Sequence, residues 1–326
     1  MRSKALLAVA AALIAIAALA AVRITHGRGD EKAVLRVANQ KGSTRAMMLA
    51  AGVLDDAPYE VEWSEFPAAQ TLLEAVGSGA ADLGLAGDAP FIFAYQSGSP
   101  IKAVGALETA GRPHDSLAVI VPGGSTVRSI RDLVGRTVGT SRGSIGHHLL
   151  LQALERAGIP AGQVKVTFLA PADAKAAFDS HAIDAWATWS PYLNIAVAQG
   201  ARSIVDASDY GLSVGFDVAN ADSIAPKKAL IRDFLQREAR ALAWARAHPD
   251  RYARVLARET GLPLDIARAS FDRNNRVAVP IGPAIVAHEQ AIADRFRRAG
   301  LVVADRPIAG AFDADVGRGL FTAATH

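Results

Sequence analysis

Short apolar segments alternate with helical patterns along the first third of the chain. Val61 and Trp63 follow the period of two that is typical of a half-buried strand. Leu72, Leu73 and Val76 follow the helical period and form one apolar stripe. The predicted strands are Val34–Asn39, Tyr59–Phe66, Ala81–Leu85 and Lys102–Leu107. Because the segments between these strands have helical patterns, they predict a wound α/β unit.

A second set of such elements follows the glycine-rich loop at residues 123–125. One helix opens after the turn at residues 141–144 and ends at Ala157, because Gly158 and Pro160 together form a strong helix stop signal. The further predicted strands are Ser116–Val121, Thr137–Thr140, Val164–Phe168, Ile183–Trp189, Ser203–Val205 and Gly215–Ala219. The tail from Ala225 onward is predicted to be helical, apart from a break at residues 276–283.

This order of elements predicts two lobes joined by two chain crossings. Lobe I would comprise residues 34–119 and 211–326, and lobe II residues 120–210. A cleft between two α/β lobes is a common place for a small ligand. The carboxyl ends of strands point toward such a crevice, so Trp186 and Trp189, near the end of a predicted strand, are expected beside a ligand.

The N-terminal segment has the pattern of an export signal. Arg2 and Lys4 precede an apolar run from Ala5 to Val22, and Ala18-Leu19-Ala20 provides small residues at a cleavage site. We therefore expect residues 1–22 to be a signal peptide and residues 23–33 a polar linker. An uncleaved membrane anchor is the alternative, since about 18 apolar residues nearly span a bilayer.

Composition excludes several classes of function. The 326 residues are 51% hydrophobic and 21% charged, as in ordinary globular proteins, and contain no cysteine for disulfides or thiolate metal sites. The formal net charge is +3, and no basic stripe with interleaved aromatic residues indicates nucleic-acid binding. His147 and His148 are adjacent, so on a helix they form a poor metal pair, and Ile292 replaces the second histidine of a zinc-protease motif that His288 begins. We predict no metal, no cofactor and no catalytic residues.

Three predicted strand-to-helix loops have the same character. They lie at residues 40–43, 87–90 and 141–144, and each has a glycine and a residue suited to cap the following helix. Such a point exposes N–H donors and the positive end of a helix dipole, which together suit an anion. The alternative is that these loops are ordinary turns, which need a glycine and a cap in any case.

Several segments together resemble a known family. They are Gln40-Lys41-Gly42, Gly87-Asp88-Ala89-Pro90, Arg142-Gly143-Ser144, residues 147–151, residues 171–178, Asp184-Ala185-Trp186-Ala187 and Pro191-Tyr192. On these segments the chain resembles the periplasmic substrate-binding proteins of aliphatic sulfonate ABC importers, within the wider nitrate/sulfonate/taurine-binding group. The resemblance extends over residues 34–309 and is strongest over residues 141–192. It implies a two-crossover, type II periplasmic-binding-protein fold in which two lobes close on a ligand, hinging at the crossings. It also implies a monomer in the periplasm that has a membrane permease and an ATPase as partners.

The resemblance and the loop chemistry together predict the ligand-binding residues, which are Gln40, Gly87, Asp88, Ser141, Gly143, Ser144, Trp186 and Trp189. A sulfonate is always ionised and has three acceptor oxygens, so amide, hydroxyl and backbone N–H donors suffice. Trp186 would provide an apolar wall for the organic tail. A carboxylate repels a sulfonate, so we expect Asp88 to cap its own helix and to present its backbone to the ligand.

The chain also departs from the family pattern. Ser190 stands where an aspartate is expected before Pro191-Tyr192, and the segment from Gly211 to Ser223 fits the pattern poorly. Taurine, nitrate or another small anion therefore remains an alternative ligand. A further alternative is an enzyme on the same fold, which would need a nucleophile and a base in the cleft. Ser144 has only His147 and His148 nearby in sequence and no carboxylate to orient them.

Overall fold

The structure is a computed structural model, and it describes residues 32–40, 44–109, 116–210, 214–273 and 275–321. The predicted signal peptide and most of the predicted linker lie outside these residues. Residues 32–34 and 58–60 are the described part of a small separate unit. All other described residues, including those that form both cores, belong to one compact unit.

The first sheet has six strands in the order β11-β4-β10-β3-β1-β2. Its strands are β1 (Ala33–Gln40), β2 (Tyr59–Phe66), β3 (Leu83–Gly87), β4 (Ile101–Thr109), β10 (Val214–Asn220) and β11 (Arg276–Val279). Strands β1 and β3 are parallel, while β10 runs antiparallel between β3 and β4. Because β10 and β11 come from the second half of the chain, the chain leaves this sheet and returns to it.

The second sheet has five strands in the order β7-β6-β8-β5-β9. They are β5 (Leu117–Val121), β6 (Thr137–Thr140), β7 (Lys165–Phe168), β8 (Ala185–Trp189) and β9 (Arg202–Asp206). Strand β6 is parallel to both β7 and β8, and β5 is antiparallel to β8 and β9.

Eleven α-helices among the described residues cover the two sheets. They are α1 (Thr44–Ala50), α2 (Ala69–Gly77), α3 (Asp88–Gln96), α4 (Ile145–Arg156), α5 (Pro171–Asp179), α6 (Tyr192–Ala198), α7 (Ala221–Ala247), α8 (Pro249–Thr260), α9 (Leu264–Arg273), α10 (Pro283–Arg298) and α11 (Ala314–Gly317). We call the first sheet with α1–α3 and α7–α11 the first lobe, and the second sheet with α4–α6 the second lobe. None of these helices is long and apolar enough to cross a membrane.

The elements agree with the α/β pattern predicted from the sequence, with three differences. Strand β5 pairs only within the second sheet, so the border expected between residues 119 and 120 cuts through a strand. Residues 192–198 form helix α6, where the sequence pattern predicts no helix. The break predicted at residues 276–283 contains β11, an edge strand that pairs with β4.

Each lobe has its own apolar core. The core of the first lobe joins α2, α3 and α10 to the sheet, and it includes Leu72, Phe91, Phe216 and Phe296. The second sheet is covered on both faces, by α4 on one face and by α5 and α6 on the other. The core of the first lobe therefore joins segments that are far apart in the sequence.

A buried aspartate fixes the return of the chain to the first sheet. Asp82 is fully buried and bonds the guanidinium of Arg36 at 2.7 Å and the ammonium of Lys227 at 2.5 Å. Ser223 donates a further hydrogen bond of 2.9 Å. These partners hold the pKa of Asp82 below its usual range although burial acts in the opposite direction. Helix α7 is thereby attached to the start of β3.

Candidate functional site

A cavity of about 430 Å³ lies between the two lobes. The first lobe contributes residues from the ends of its strands and from helices α1, α7, α8 and α9, and the second lobe contributes the end of β8 and the start of α6. The polar lining residues are Gln40, Thr44, Ser190, Tyr192, Glu238, Tyr252, Thr260, Ser270 and Arg276. The apolar lining residues are Met47, Pro67, Leu85, Leu107, Trp189, Pro191, Ile195, Leu242, Leu256, Leu262 and Phe271. A mostly apolar pocket with a few polar groups is the usual form of a small-molecule site.

The second lobe presents an aromatic wall to this cavity. Strand β8 ends at Trp189, whose ring packs edge-on against Tyr192 with centroids 6.2 Å apart. Burial raises the pKa of Tyr192, so its hydroxyl stays protonated and can donate a hydrogen bond. Ser190 lies between them, and its buried Oγ has no hydrogen-bond partner among the described residues. This wall therefore offers apolar area together with hydroxyl donors.

The first lobe places one arginine in the cavity. Arg276 begins β11 and is half-buried. Its guanidinium lies against β10 beside Gly215. Desolvation lowers the pKa of Arg276, and the nearby carboxylates of Asp88, Glu238 and Asp217 oppose that shift. A guanidinium remains charged in proteins, so the cavity contains a positive group.

Two buried carboxyl groups lie beside that arginine. Glu238 lines the cavity and is hydrogen-bonded to Asp217, and Thr44 donates from Oγ1 to Glu238 Oε1 at 3.1 Å. Burial raises the pKa of Asp217 to about 6, and burial together with the charge of Asp217 raises the pKa of Glu238 well above its usual range. Both carboxyl groups therefore keep their protons to a higher pH than exposed carboxyl groups do.

The structure brings two of the eight sequence-predicted site residues to this cavity, Gln40 and Trp189. Trp186 lies elsewhere, in the core of the second lobe. It is 2% exposed, and its ring packs against Phe178 at 5.8 Å and against Tyr192 at 6.2 Å. The ring of Trp186 therefore fills the space between the sheet and its covering helices.

Gly87 and Asp88 face the contact between the lobes rather than the cavity. A Cβ on Gly87 would come within 2.9 Å of Ile145 on α4. Gly87, and not Asp88, is the N-cap residue of α3. The buried carboxylate of Asp88 accepts the Ala89 N–H at 2.6 Å and the Val214 N–H at 3.3 Å. Its charge is thus directed at backbone donors.

The loop with Ser141, Gly143 and Ser144 uses its donors internally. Ser141 Oγ donates to the Leu169 carbonyl at 2.7 Å, and the Gly143 N–H donates to His147 Nδ1 at 3.2 Å. Ser144 is the N-cap of α4, as expected, and its Oγ accepts the His147 N–H at 3.1 Å. The loop does not line the cavity. Burial together with the charge of Arg142 lowers the pKa of His147 to about 4, so that histidine is neutral.

Sequence reasoning missed Arg276, Glu238 and Tyr192 as site residues. One signal was present for Glu238, because it lies one helical turn from Phe234 and from Leu242 and so interrupts the apolar face of α7. For Arg276, the only signal in the sequence was its position in the predicted break of the helical tail. Nothing in the sequence indicates that this break pairs with β4 beside a cavity.

Comparison with known proteins assigns a family. Residues 55–252 match the family described as NMT1/THI5 like. The chain is 33% identical over 273 residues to an aliphatic sulfonates-binding protein of Escherichia coli (strain K12), covering 82% of this chain and 85% of that protein.

Solved structures agree with this assignment. The crystal structure of the periplasmic aliphatic sulphonate binding protein SsuA from Escherichia coli has a TM-score of 0.75 at 32% identity, covering 85% of this chain and 90% of that one. The alkanesulfonate-binding protein SsuA from Xanthomonas axonopodis pv. citri, bound to MOPS, has a TM-score of 0.80 at 28% identity, covering 87% of this chain and 99% of that one. The resemblance and the periplasmic-binding-protein fold expected from the sequence are confirmed. Residues 55–252, which match the family model, are more than half of this chain, so the chain belongs to the NMT1/THI5-like family.

Proposed function

We propose that this protein is the periplasmic solute-binding component of an ABC importer and that it captures an aliphatic sulfonate in the cavity between its lobes. The relatives named as aliphatic sulfonate-binding proteins support this function. The observation that carries it is Arg276, a guanidinium that lines a mostly apolar cavity of about 430 Å³. A positive group in apolar surroundings is complementary to an organic anion, which has one charged end and one apolar end.

The charged end of the ligand would lie at Arg276. Two parallel N–H donors of a guanidinium match two oxygens of a sulfonate, as they match a carboxylate or a phosphate. Gln40 from β1 and Ser190 from the second lobe would donate to the remaining acceptors. Burial and the charge of Asp217 raise the pKa of Glu238, which favours its uncharged form beside the anion.

The organic tail would lie against the apolar wall. Trp189 from the second lobe faces a lining that includes Met47, Leu85 and Leu242 from the first lobe. The cavity volume exceeds what a one-carbon sulfonate fills, so a longer tail buries more apolar surface here. At about 25 cal/mol per Å² of apolar area, each added methylene contributes roughly 0.8 kcal/mol to binding.

Capture would proceed by closure of the lobes, with residues 34–116 and 211–326 in one and 117–210 in the other. Closure brings donors from both lobes to one anion and removes it from water. The closed monomer would then deliver the ligand to a membrane permease driven by an ATPase. We propose a binding protein rather than an enzyme because the Escherichia coli relatives, which the chain matches over most of its length, are named as binding proteins.

A thermal-shift panel on the mature protein tests the function. The ligands are methanesulfonate, hexanesulfonate, taurine, sulfate, nitrate and bicarbonate, and binding to the folded state alone must raise the melting temperature. We expect the largest shift with hexanesulfonate. We also expect Arg276→Gln to weaken its binding about 10- to 100-fold, since a hydrogen bond to a charged group contributes about 1.5–3 kcal/mol.

Arg318→Gln provides the matched control, because that exposed arginine lies outside the cavity and its guanidinium pairs with Asp315. It should bind hexanesulfonate as tightly as the unaltered protein. A shift with nitrate, sulfate or bicarbonate alone would contradict the sulfonate assignment. Equal binding by the Arg276→Gln protein would contradict the proposed position of the charged end.

A further inference from the structure

Three metal-ligating side chains converge where helix α3 meets helix α10. Asp88 begins α3, and His288 and Glu289 lie on α10, two hundred residues further along the chain. His288 and Glu289 are adjacent on the helix, a spacing that usually makes a poor metal pair, but here the potential ligand atoms meet: two carboxylate oxygens and one imidazole nitrogen all lie within 4.8 Å of one another. His288 Nε2 is 3.8 Å from Asp88 Oδ2, which is too far for a hydrogen bond. None of the three residues lines the cavity described above.

Among the described residues, Glu289 has no hydrogen-bond partner that explains its burial. The residue is 0% exposed, and both of its carboxylate oxygens lack a partner in the described part of the chain. His288 Nε2 is also buried without a hydrogen bond to any described residue. Burying an unpaired carboxylate is costly, and buried charges in proteins are normally paired or coordinate metals. The two groups without partners and Asp88 face the same point.

Backbone N–H groups fix the orientation of the Asp88 carboxylate. The Ala89 N–H and the Val214 N–H fix its two oxygens at 2.6 Å and 3.3 Å. Such second contacts orient a ligating carboxylate and limit its motion. The imidazole of His288 is 21% exposed, so an ion can reach the site along the ring. The Asp88 carboxylate is thus oriented by the backbone, and the His288 ring is partly accessible to solvent.

We propose that Asp88, His288 and Glu289 bind one divalent transition-metal ion such as Zn²⁺. One imidazole and two carboxylates are common zinc ligands, and three protein ligands leave a fourth position for water. Ligands about 2.0–2.2 Å from a tetrahedral ion lie roughly 3.3–3.6 Å apart, so no pair here has to approach by more than about 1.5 Å. Two carboxylate charges neutralise the ion, and binding ties α10 to α3.

Zinc binding is measured by competition with a fluorescent chelator, on tag-free mature protein that has been stripped with EDTA. We expect one zinc per chain with a Kd of about 1 µM or tighter. Glu289→Gln and His288→Gln should each weaken binding at least about 100-fold, because each removes a ligand. The melting temperature of the unaltered protein should rise with zinc, while those of the two variants should not.

The matched control is His181→Asn. His181 is exposed and has a φ of 59°, a conformation that asparagine tolerates, so the substitution removes an imidazole without strain. Its zinc binding should be unchanged. Circular dichroism of the three variants without zinc must match the unaltered protein. A Kd weaker than about 100 µM, or zinc binding that both ligand substitutions leave intact, overturns the proposal. Glu289 would then be a buried protonated carboxyl group.

Discussion

Trp186 and Trp189 have different roles because they lie three residues apart on one strand. Successive side chains of a strand point to opposite faces, so an odd spacing separates them. Trp186 lies on the face covered by α5 and α6 and is 2% exposed. Trp189 is the last residue of β8 and lines the cavity. One tryptophan therefore stabilises the lobe, and the other lines the cavity in which we propose that the ligand binds.

Substitution of each tryptophan by alanine separates these roles. Trp189→Ala should weaken the binding of hexanesulfonate more than that of methanesulfonate, because it removes part of the tail wall, and it should change stability little. Trp186→Ala should lower the free energy of unfolding by about 3–5 kcal/mol, as for other fully buried large side chains. Isothermal calorimetry and urea unfolding measure the two quantities. Equal weakening for both ligands in Trp189→Ala would show that its ring does not touch the tail.

At the scale of elements, the loop before α4 serves the contact between the lobes. Gly143 has a φ of 67°, and a Cβ built on it would lie 2.5 Å from the ring of Phe93 on α3. The aromatic rings of His147 and Phe296 continue this contact, with centroids 6.2 Å apart. Glycine is therefore required at position 143 for two reasons: the backbone conformation and the close approach of α3.

Gly143→Ala should lower the free energy of unfolding by two additive effects. The left-handed conformation costs about 1–2 kcal/mol, and the contact with Phe93 adds about 1–3 kcal/mol. Gly158→Ala is the matched control, since Gly158 has a φ of 69° but no atom within 4 Å of its Cβ position. Urea unfolding should show only the conformational part for Gly158→Ala. Equal losses for the two variants would mean that the packed contact with Phe93 contributes nothing.

For the whole molecule, buried titratable groups set opposite dependences of stability on pH. Asp217 and Glu238 have raised pKa values, so the folded pair binds more protons than the unfolded chain. Its stabilisation is present below about pH 4 and is lost as the pH rises through about 6 and beyond. Burial lowers the pKa values of His147 and His148 to about 4, so their contribution is present above pH 6.5 and is lost toward pH 4.

Glu238→Gln should remove most of the loss of stability that the unaltered protein shows as the pH rises above about 6. Glutamine keeps a hydrogen-bonding group beside Thr44 and Asp217 but cannot ionise. We therefore expect the free energy of unfolding to fall between pH 6 and pH 8 in the unaltered protein and to stay nearly level in the variant. Urea unfolding at several pH values measures both curves. The same decline in both proteins would show that another group titrates there.

The sequence by itself determined the alternation of strands and helices, and with it the α/β class. Those patterns are local, since period, glycine and capping residues lie within a few positions of one another. Ser144 as the N-cap of α4 and the strand β8 were therefore predictable. Gln40 was predicted from the family resemblance and from the loop that follows the first strand, and it lines the cavity.

Only the tertiary structure decided which residues meet at the cavity. Arg276, Glu238 and Trp189 come from β11, α7 and β8, and their proximity depends on how sheets and helices pack across hundreds of residues. The same packing buries Trp186 and directs Asp88 toward His288 and Glu289. The period of apolar residues and the capping residues specify a helix or strand and its apolar face. Which other element packs against that face depends on contacts between residues far apart in the sequence.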